Sequence, residues 1–275
     1  MLPIALQLYS IRGYTDKDFF GTLQKVKDMG YDGVEFTELN GYSPEEVKKQ
    51  LDNIGLIPVS AHVSYTDMCS NYKQMVADYA KIGCKTICIP YLAPEFLPTG
   101  DNFDEAMDNF RKFGEETNKY GIPFAYHNHA FEFEKYNGEY ILDIIFNSVS
   151  PDLLETQIDT AWANKGGVDP IQYIKKYKNR ATTIHLKDLV LRDKNPANEY
   201  HNSIETSFVP IADNENDFGY RPIGYGIQDI PGLLKAFNEI GCKYVIVEQD
   251  EPSMGLTSIE CAEKSINSLR KLLGK

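Results

Sequence analysis

Hydrophobic positions along the chain follow two rhythms. Apolar residues recurring every three or four positions predict helices with one buried face, and short, near-continuous apolar runs predict strands covered on both sides. The junction between the two repeats. A helical stretch ends in an apolar residue and a glycine, and an apolar run follows at once. This happens at Met29-Gly30 before Tyr31 to Phe36, Ile54-Gly55 before Leu56 to His62, and Ile82-Gly83 before Cys84 to Pro90. It happens again at Tyr120-Gly121 before Ile122 to His127 and Ile240-Gly241 before Cys242 to Glu248. Glycine just past a helix takes the left-handed cap that turns the chain into a strand. Three more runs, Ile4 to Tyr9, Leu154 to Asp159 and Thr182 to Leu186, bring the predicted strands to eight.

The segments between them carry helix signals. Phe19, Leu23, Val26 and Met29 share a face, as do Val47, Leu51 and Ile54, and Ile259, Ala262, Ile266, Leu269 and Leu272. Ser43-Pro44-Glu45-Glu46 reads as a capping box with proline in the first turn, and Asp169-Pro170 opens another helix the same way. Eight such units in 275 residues predict an α/β fold, a single (β/α)8 TIM barrel over residues 1–275, because that barrel takes roughly 250 residues. A doubly wound sheet meets the local pattern equally well. The segment 189–229 is rich in Asn, Asp and Glu and has no helical stripe. It follows the seventh strand, which makes it a candidate lid.

Composition narrows the partners. The 28 basic and 40 acidic residues leave a net charge of −12. No basic patch suits nucleic acid, and no run approaches the ~20 apolar residues of a membrane span. The five cysteines form no CxxC pair, which fits a reducing, cytoplasmic setting and speaks against a cysteine-rich zinc site. Cys84, Cys88 and Cys242 read as buried small hydrophobes. The first ten residues lack the basic start of an export signal. A small molecule is the expected partner.

In a (β/α)8 barrel the active site is built from the C-terminal ends of the strands. Strand two ends near Glu35, strand three in His62, and strand five in Tyr126-His127-Asn128-His129. Strand six ends in Gln157-Ile158-Asp159, strand seven in His185-Leu186-Lys187-Asp188, and strand eight in Glu248-Gln249-Asp250. Four of the five histidines stand at these ends, and only His201 lies elsewhere. His127, Asp159, His185 and Glu248 make a two-nitrogen, two-carboxylate set suited to one divalent ion, Mn, Zn, Co or Fe. His127 and His129 are two apart and both face inward if the strand extends that far. His127 is preferred as the ligand, with His129 as a substrate contact or base. Gly224-Tyr225-Gly226 lacks the lysine of a phosphate loop, so no phosphate cradle is expected.

Several stretches together resemble one family. Gln7-Leu8-Tyr9-Ser10, Gly33-Val34-Glu35, Gln157-Ile158-Asp159-Thr160, Ile184-His185-Leu186-Lys187-Asp188 and Pro222-Ile223-Gly224-Tyr225-Gly226-Ile227-Gln228-Asp229 are similar to the sugar phosphate isomerase/epimerase group. These are the xylose-isomerase-like TIM barrels, which include inosose dehydratases, ketose 3-epimerases and endonuclease-IV-type barrels. The epimerases of the group hold a metal with Glu, Asp, His and Glu, and the last three match Asp159, His185 and Glu248. His127 stands where the first Glu would be, a departure that weakens a symmetric two-glutamate epimerisation and looks more like the inosose-dehydratase branch.

The resemblance implies a metal-dependent isomerase or epimerase acting on a sugar, keto-sugar or cyclitol through an enediolate. The alternative at the same site is a lyase or dehydratase. Two further readings rank below these. A non-catalytic sugar binder would have no reason to keep four ligands, and an abasic-site endonuclease would need more histidines and a basic face. Glu248, His129 and Lys187 are the expected catalytic residues, with Lys187 holding an oxyanion. Glu35, His62, Trp162 (the one tryptophan) and Glu132 are the expected substrate contacts. Phe131-Glu132-Phe133-Glu134 also fits an exposed hairpin edge. A homo-oligomer is an expectation from the family alone.

Overall fold

The computed structural model describes residues 2–191 and 218–274. Its main sheet contains β1 (Ile4–Gln7), β2 (Gly33–Phe36), β3 (Ile57–His62), β4 (Ile87–Ile89), β5 (Phe124–His127), β6 (Glu155–Gln157), β7 (Thr183–Leu186) and β8 (Tyr244–Val247). The strands run parallel in the order β6-β5-β4-β3-β2-β1-β8-β7. The two ends of this order meet at a single parallel bridge between Asp159 and His185. There the His185 N–H donates to the Ile158 carbonyl at 3.0 Å. The sheet is therefore a nearly closed barrel, not a doubly wound open sheet.

Helices fill the crossovers: α1 (Phe19–Asp28), α2 (Pro44–Ile54), α3 (Tyr65–Ile82), α4 (Phe103–Asn118), α5 (Ile141–Ser148), α6 (Pro170–Lys176), α7 (Ile230–Ile240) and, after β8, α8 (Ser258–Leu272). The expected starts are present. Ser43 and Glu46 close a capping box on α2, and Asp169 caps α6 ahead of Pro170. Gly55 and Gly241 end α2 and α7 at φ 69° and 84°, a region where a residue with a Cβ costs about 1–2 kcal/mol. The strands are shorter than the apolar runs that predict them. Tyr31, Leu56, Cys84 and Leu154 are buried before their ladders begin, so the runs count packing as well as pairing. Leu272, expected on the buried face of α8, is half exposed because it ends the helix.

The main core lies between helices and strands, where Leu23, Val26, Val47, Leu51, Phe110, Phe237 and Ile266 pack with Ile4, Leu6, Val34 and Phe36. Alternation along β1 turns Ala5 the other way, into a small cluster with Val59 and Ile246. Above that apolar floor the barrel interior becomes polar, with Gln7, Glu35 and Gln157 all fully buried. Such groups are tolerated only when they are hydrogen-bonded to one another, and they form the base of the site.

The segment expected as a lid begins and ends in a ribbon. Asp188–Leu191 pairs antiparallel with Phe218–Arg221. Residues 192–217, including His201 and the middle of the segment 189–229 expected as a lid, lie outside the described residues. No helix among the described residues is long and apolar enough to cross a membrane.

Candidate metal centre and active site

His127 ends β5 and His185 lies in β7, while Asp159 stands two residues past β6 and Glu248 follows β8 directly. One ligand atom from each lies within 4.8 Å of all the others, and all four residues are buried. Two donors on opposite sides of an ion at about 2.1 Å stand about 4.2 Å apart, so the cluster has the span of a single centre. Backbone contacts place the ligands. The Asp159 N–H donates to the Asn128 side-chain oxygen at 3.0 Å, tying the start of that loop to strand five. Asp159 Oδ1 accepts the N–H groups of Ala161 and Trp162, both at 2.9 Å, and caps the short helix Thr160–Lys165. The carboxylate thus combines a helix cap with a second oxygen, Oδ2, that is buried without a hydrogen bond and faces Lys187 Nζ at 3.4 Å.

His185 is held from both sides. Its Nε2 lies 2.7 Å from Glu35 Oε1 and its Nδ1 lies 2.9 Å from Glu248 Oε2. If Nε2 donates to Glu35, Nδ1 turns a lone pair toward a carboxylate oxygen. Two acceptors at that distance require a positive charge between them, either a proton or a cation. Burial alone would lower the proton affinity of His185, but Glu35 and Glu248 together hold it up to about 10. His127 differs. Burial and the neighbouring histidines push it well below the ordinary imidazole range, and its Nδ1 is buried without a partner. A neutral imidazole nitrogen and a carboxylate oxygen, both without a hydrogen bond, suit a borderline divalent ion. The residues fit such an ion by that test.

Glu35 and Glu132, expected to meet substrate hydroxyls, are placed differently. Glu35 is fully buried beneath the site. Its Oε1 accepts from Gln7 Nε2 at 2.6 Å and faces His62 Nε2 at 3.2 Å, while its Oε2 accepts from Gln157 Nε2 at 2.8 Å. Both oxygens are thus occupied by the chain itself. Glu132 stands in a 3-10 turn, Phe131–Phe133, not on an exposed hairpin edge, and is fully buried. Its carboxylate accepts from the Tyr126 hydroxyl at 2.7 Å and from the His129 N–H at 2.8 Å, so it braces the loop that presents His129.

The remaining expected residues line the opening. The His62 ring stacks on His185 at 5.1 Å, and its Nε2 lies 2.6 Å from Gln157 Oε1. His129 Nδ1 is buried without a partner, and burial lowers its pKa to about 3. Trp162 lies 5.5 Å from His129, stacks on Phe218, and likewise has a buried Nε1 with no partner. Lys187 Nζ lies 2.9 Å from Glu248, 3.0 Å from Asp250 and 3.4 Å from Asp159. Burial would lower its pKa, but these three carboxylates hold it well above the ordinary range.

Several residues went unassigned in the sequence. Asp250 is two residues beyond Glu248, as Lys187 is beyond His185 and His129 beyond His127, so the two-residue step of an inward face was the available signal. Gln7 and Gln157 had none, since their partners come from other strands. Asp188 explains the glycine-rich stretch. Its Oδ2 accepts the N–H groups of Gly224 and Gly226, both at 2.9 Å, and its Oδ1 accepts those of Leu189 at 2.9 Å and Gln228 at 3.2 Å. A nest of backbone N–H groups is an anion site, and this one is filled by the chain's own carboxylate.

Comparison with known proteins agrees with this architecture. The xylose isomerase-like TIM barrel family matches residues 23–272. An inosose dehydratase of Lacticaseibacillus casei (strain BL23) is 23% identical over 298 residues, covering 96% of this chain and 95% of that enzyme. The inosose dehydratase of Geobacillus kaustophilus (strain HTA426) is 23% identical over 189 residues, 61% of each chain, so under two thirds of that relative's length is spanned. The crystal structure of a sugar phosphate isomerase/epimerase from Parabacteroides distasonis ATCC 8503 superposes with a TM-score of 0.74 at 25% identity, covering 98% of this chain and 93% of that one. With 250 consecutive residues inside the family match, the chain belongs to the xylose isomerase-like TIM barrel family.

Proposed function

We propose that the chain is a metal-dependent enzyme that takes a proton from the carbon beside a carbonyl of a keto-sugar or keto-cyclitol and then expels a β-hydroxyl as water. The observation that carries this reading is the convergence of His127, Asp159, His185 and Glu248, with His127 Nδ1 and Asp159 Oδ2 buried and without a hydrogen bond. A bound divalent ion supplies Lewis acidity toward the carbonyl and the charge that builds on its oxygen.

The chain's own groups handle the protons. Glu248, held ionised by Lys187 and His185 against the effect of its burial, takes the α-proton. The Cβ–O bond breaks as the C=C bond forms, and the Lys187 ammonium gives a proton to the departing hydroxyl. The two groups lie 2.9 Å apart, so the proton on Glu248 returns directly to Lys187 and resets the site. His129 Nδ1 accepts a substrate hydroxyl, and the Trp162 face packs against the ring. Glu35 fixes the tautomer of His185.

Elimination is favoured over symmetric epimerisation because strand five offers His127 and His129 where two-base chemistry needs a second carboxylate. Inosose dehydratases among the relatives support the same outcome. Reprotonation of the enediolate, giving an isomer, is the second reading, favoured by the likeness to the Parabacteroides distasonis isomerase/epimerase. Mn- or Zn-loaded protein incubated with a keto-inositol or ketohexoses in deuterated buffer separates the two. A product lighter by one water and absorbing as an enone supports elimination, with His127→Ala losing both bound metal and at least 100-fold in rate. A deuterated isomer of unchanged mass replaces elimination by the second reading. Neither turnover nor exchange from a fully loaded protein overturns both.

A further inference from the structure

The Lys187 ammonium stands among four carboxylate oxygens, and they belong to two different groups of residues. On one side are Glu248 Oε2 at 2.9 Å and Asp159 Oδ2 at 3.4 Å, both on residues of the four-ligand set. On the other is Asp250, with Oδ1 at 3.0 Å and Oδ2 at 3.2 Å. Asp250 is outside the ligand set, and Tyr220 is among the groups that interact with its carboxylate. Tyr220 in turn belongs to the ribbon strand Phe218–Arg221. Lys187 is almost wholly buried, so its charge has no route to water and must be balanced here.

We propose that Asp250 is a positioning residue for Lys187, and that the pair sets the ion affinity of the centre. This inference rests on the metal-dependent reading above. An ammonium against Asp159 and Glu248 satisfies the same oxygens that an ion needs, and it repels any ion that arrives. Asp250 offers the ammonium a carboxylate that the ion does not claim. It therefore shares the ammonium with Glu248, at 3.0 Å against 2.9 Å, and leaves the ligand oxygens less fully neutralised while keeping the lysine in the site. Without Asp250, the only carboxylates left to the ammonium are the two ligands, and it competes fully. Without Lys187, the ligands carry uncompensated negative charge and the ion is held more strongly.

The two residues thus have opposite predicted effects, which a general loss of packing would not produce. Apparent affinity for Zn2+ and Mn2+ is read in competition with a chromogenic chelator at fixed pH and salt, with near-ultraviolet circular dichroism as a check on folding. Lys187→Met binds each ion at least about tenfold more tightly than the parent, and Asp250→Asn about tenfold more weakly, the size expected for moving one charge near the centre. In the double variant the Asp250 effect disappears and the affinity is that of Lys187→Met, because Asp250 acts through the lysine. Lys187→Gln tests the same sign if the methionine variant does not fold.

A lysine variant that binds no more tightly than the parent overturns the proposal. So does an Asp250→Asn loss that persists in the double variant. A parent protein that takes up neither ion overturns the metal-dependent reading itself, and this inference with it. A parent that binds with variants that do not diverge overturns only the inference.

Discussion

Glu132 is a carboxylate whose hydrogen-bond partners are a phenol and a backbone N–H. Burial raises its pKa to about 7, the Tyr126 and His129 contacts notwithstanding. In the unfolded chain a glutamate titrates near 4.3. The folded state therefore holds this proton more tightly. Its stabilising contribution is complete below about pH 4 and is lost as pH rises through 7. The group is fully buried, so solvent screening takes little away, and the swing is about 4 kcal/mol. Glu132→Gln removes the titration at the fixed cost of one lost acceptor. Denaturant unfolding of both metal-free proteins from pH 4.5 to 8 should show the variant gaining on the parent as pH rises, then levelling off above 7.5. A difference that stays flat over that range would mean the carboxyl is ionised in the fold throughout. At this scale the sequence is a poor guide. The Phe131-Glu132-Phe133-Glu134 alternation reads as an edge strand, and only the turn conformation of those residues drives Glu132 inward.

At the scale of elements, legibility depended on how far apart the partners lie. Helix-glycine-strand junctions are local, and Gly30, Gly55, Gly83, Gly121 and Gly241 all take the positive φ that they require. The convergence of the candidate ligand positions was legible too, since a polar residue ending an apolar run must stand at the C-terminal mouth of a barrel. The Gln7–Glu35–Gln157–His62 layer was not legible. It depends on the register of β1, β2, β3 and β6, including the irregularity at Val34/Glu35, which no periodicity reveals. The Asp188 cradle is also non-local, with Gly226 38 residues from the carboxylate it contacts. That cradle makes a sharp prediction. A Cβ on Gly226 would stand 2.1 Å from Asp188 Oδ1 and 2.4 Å from the Leu189 carbonyl, against a buried carboxylate and backbone with little room to move. Gly226→Ala should therefore cost about 1–3 kcal/mol, as overpacking does, and release the Leu189, Gly224 and Gln228 amides. Hydrogen exchange on the variant reads this directly. Unchanged protection at those three amides would show that the ribbon is held by other contacts.

At the scale of the whole molecule, the closure of the barrel and the candidate centre are one feature. Seven strand interfaces are paired ladders, whereas among the described residues the β6–β7 seam carries one isolated backbone bridge, Asp159–His185, beside a side-chain bond from Gln157 Nε2 to Thr183 Oγ1 at 3.0 Å. The two bridged residues are also two of the four candidate ligands. The other two, His127 at the end of β5 and Glu248 after β8, flank that seam on either side. An ion held by all four would cross-link the barrel where its backbone pairing is thinnest, so binding energy would appear as closure of the seam. At an ion concentration 100 times the dissociation constant the linkage is worth about 2.7 kcal/mol, or roughly 5–10 °C in melting temperature for a chain of this size. Chelation should lower the melting temperature by that amount. It should also release the His185 amide, which bonds across the seam to Ile158, well before the β1–β2 amides on the opposite side of the barrel. Equal loss of protection on both sides would mean that the ion stabilises the fold globally. No loss at either would mean that the seam is closed by packing alone, with the four ligands free to serve chemistry without holding the barrel together.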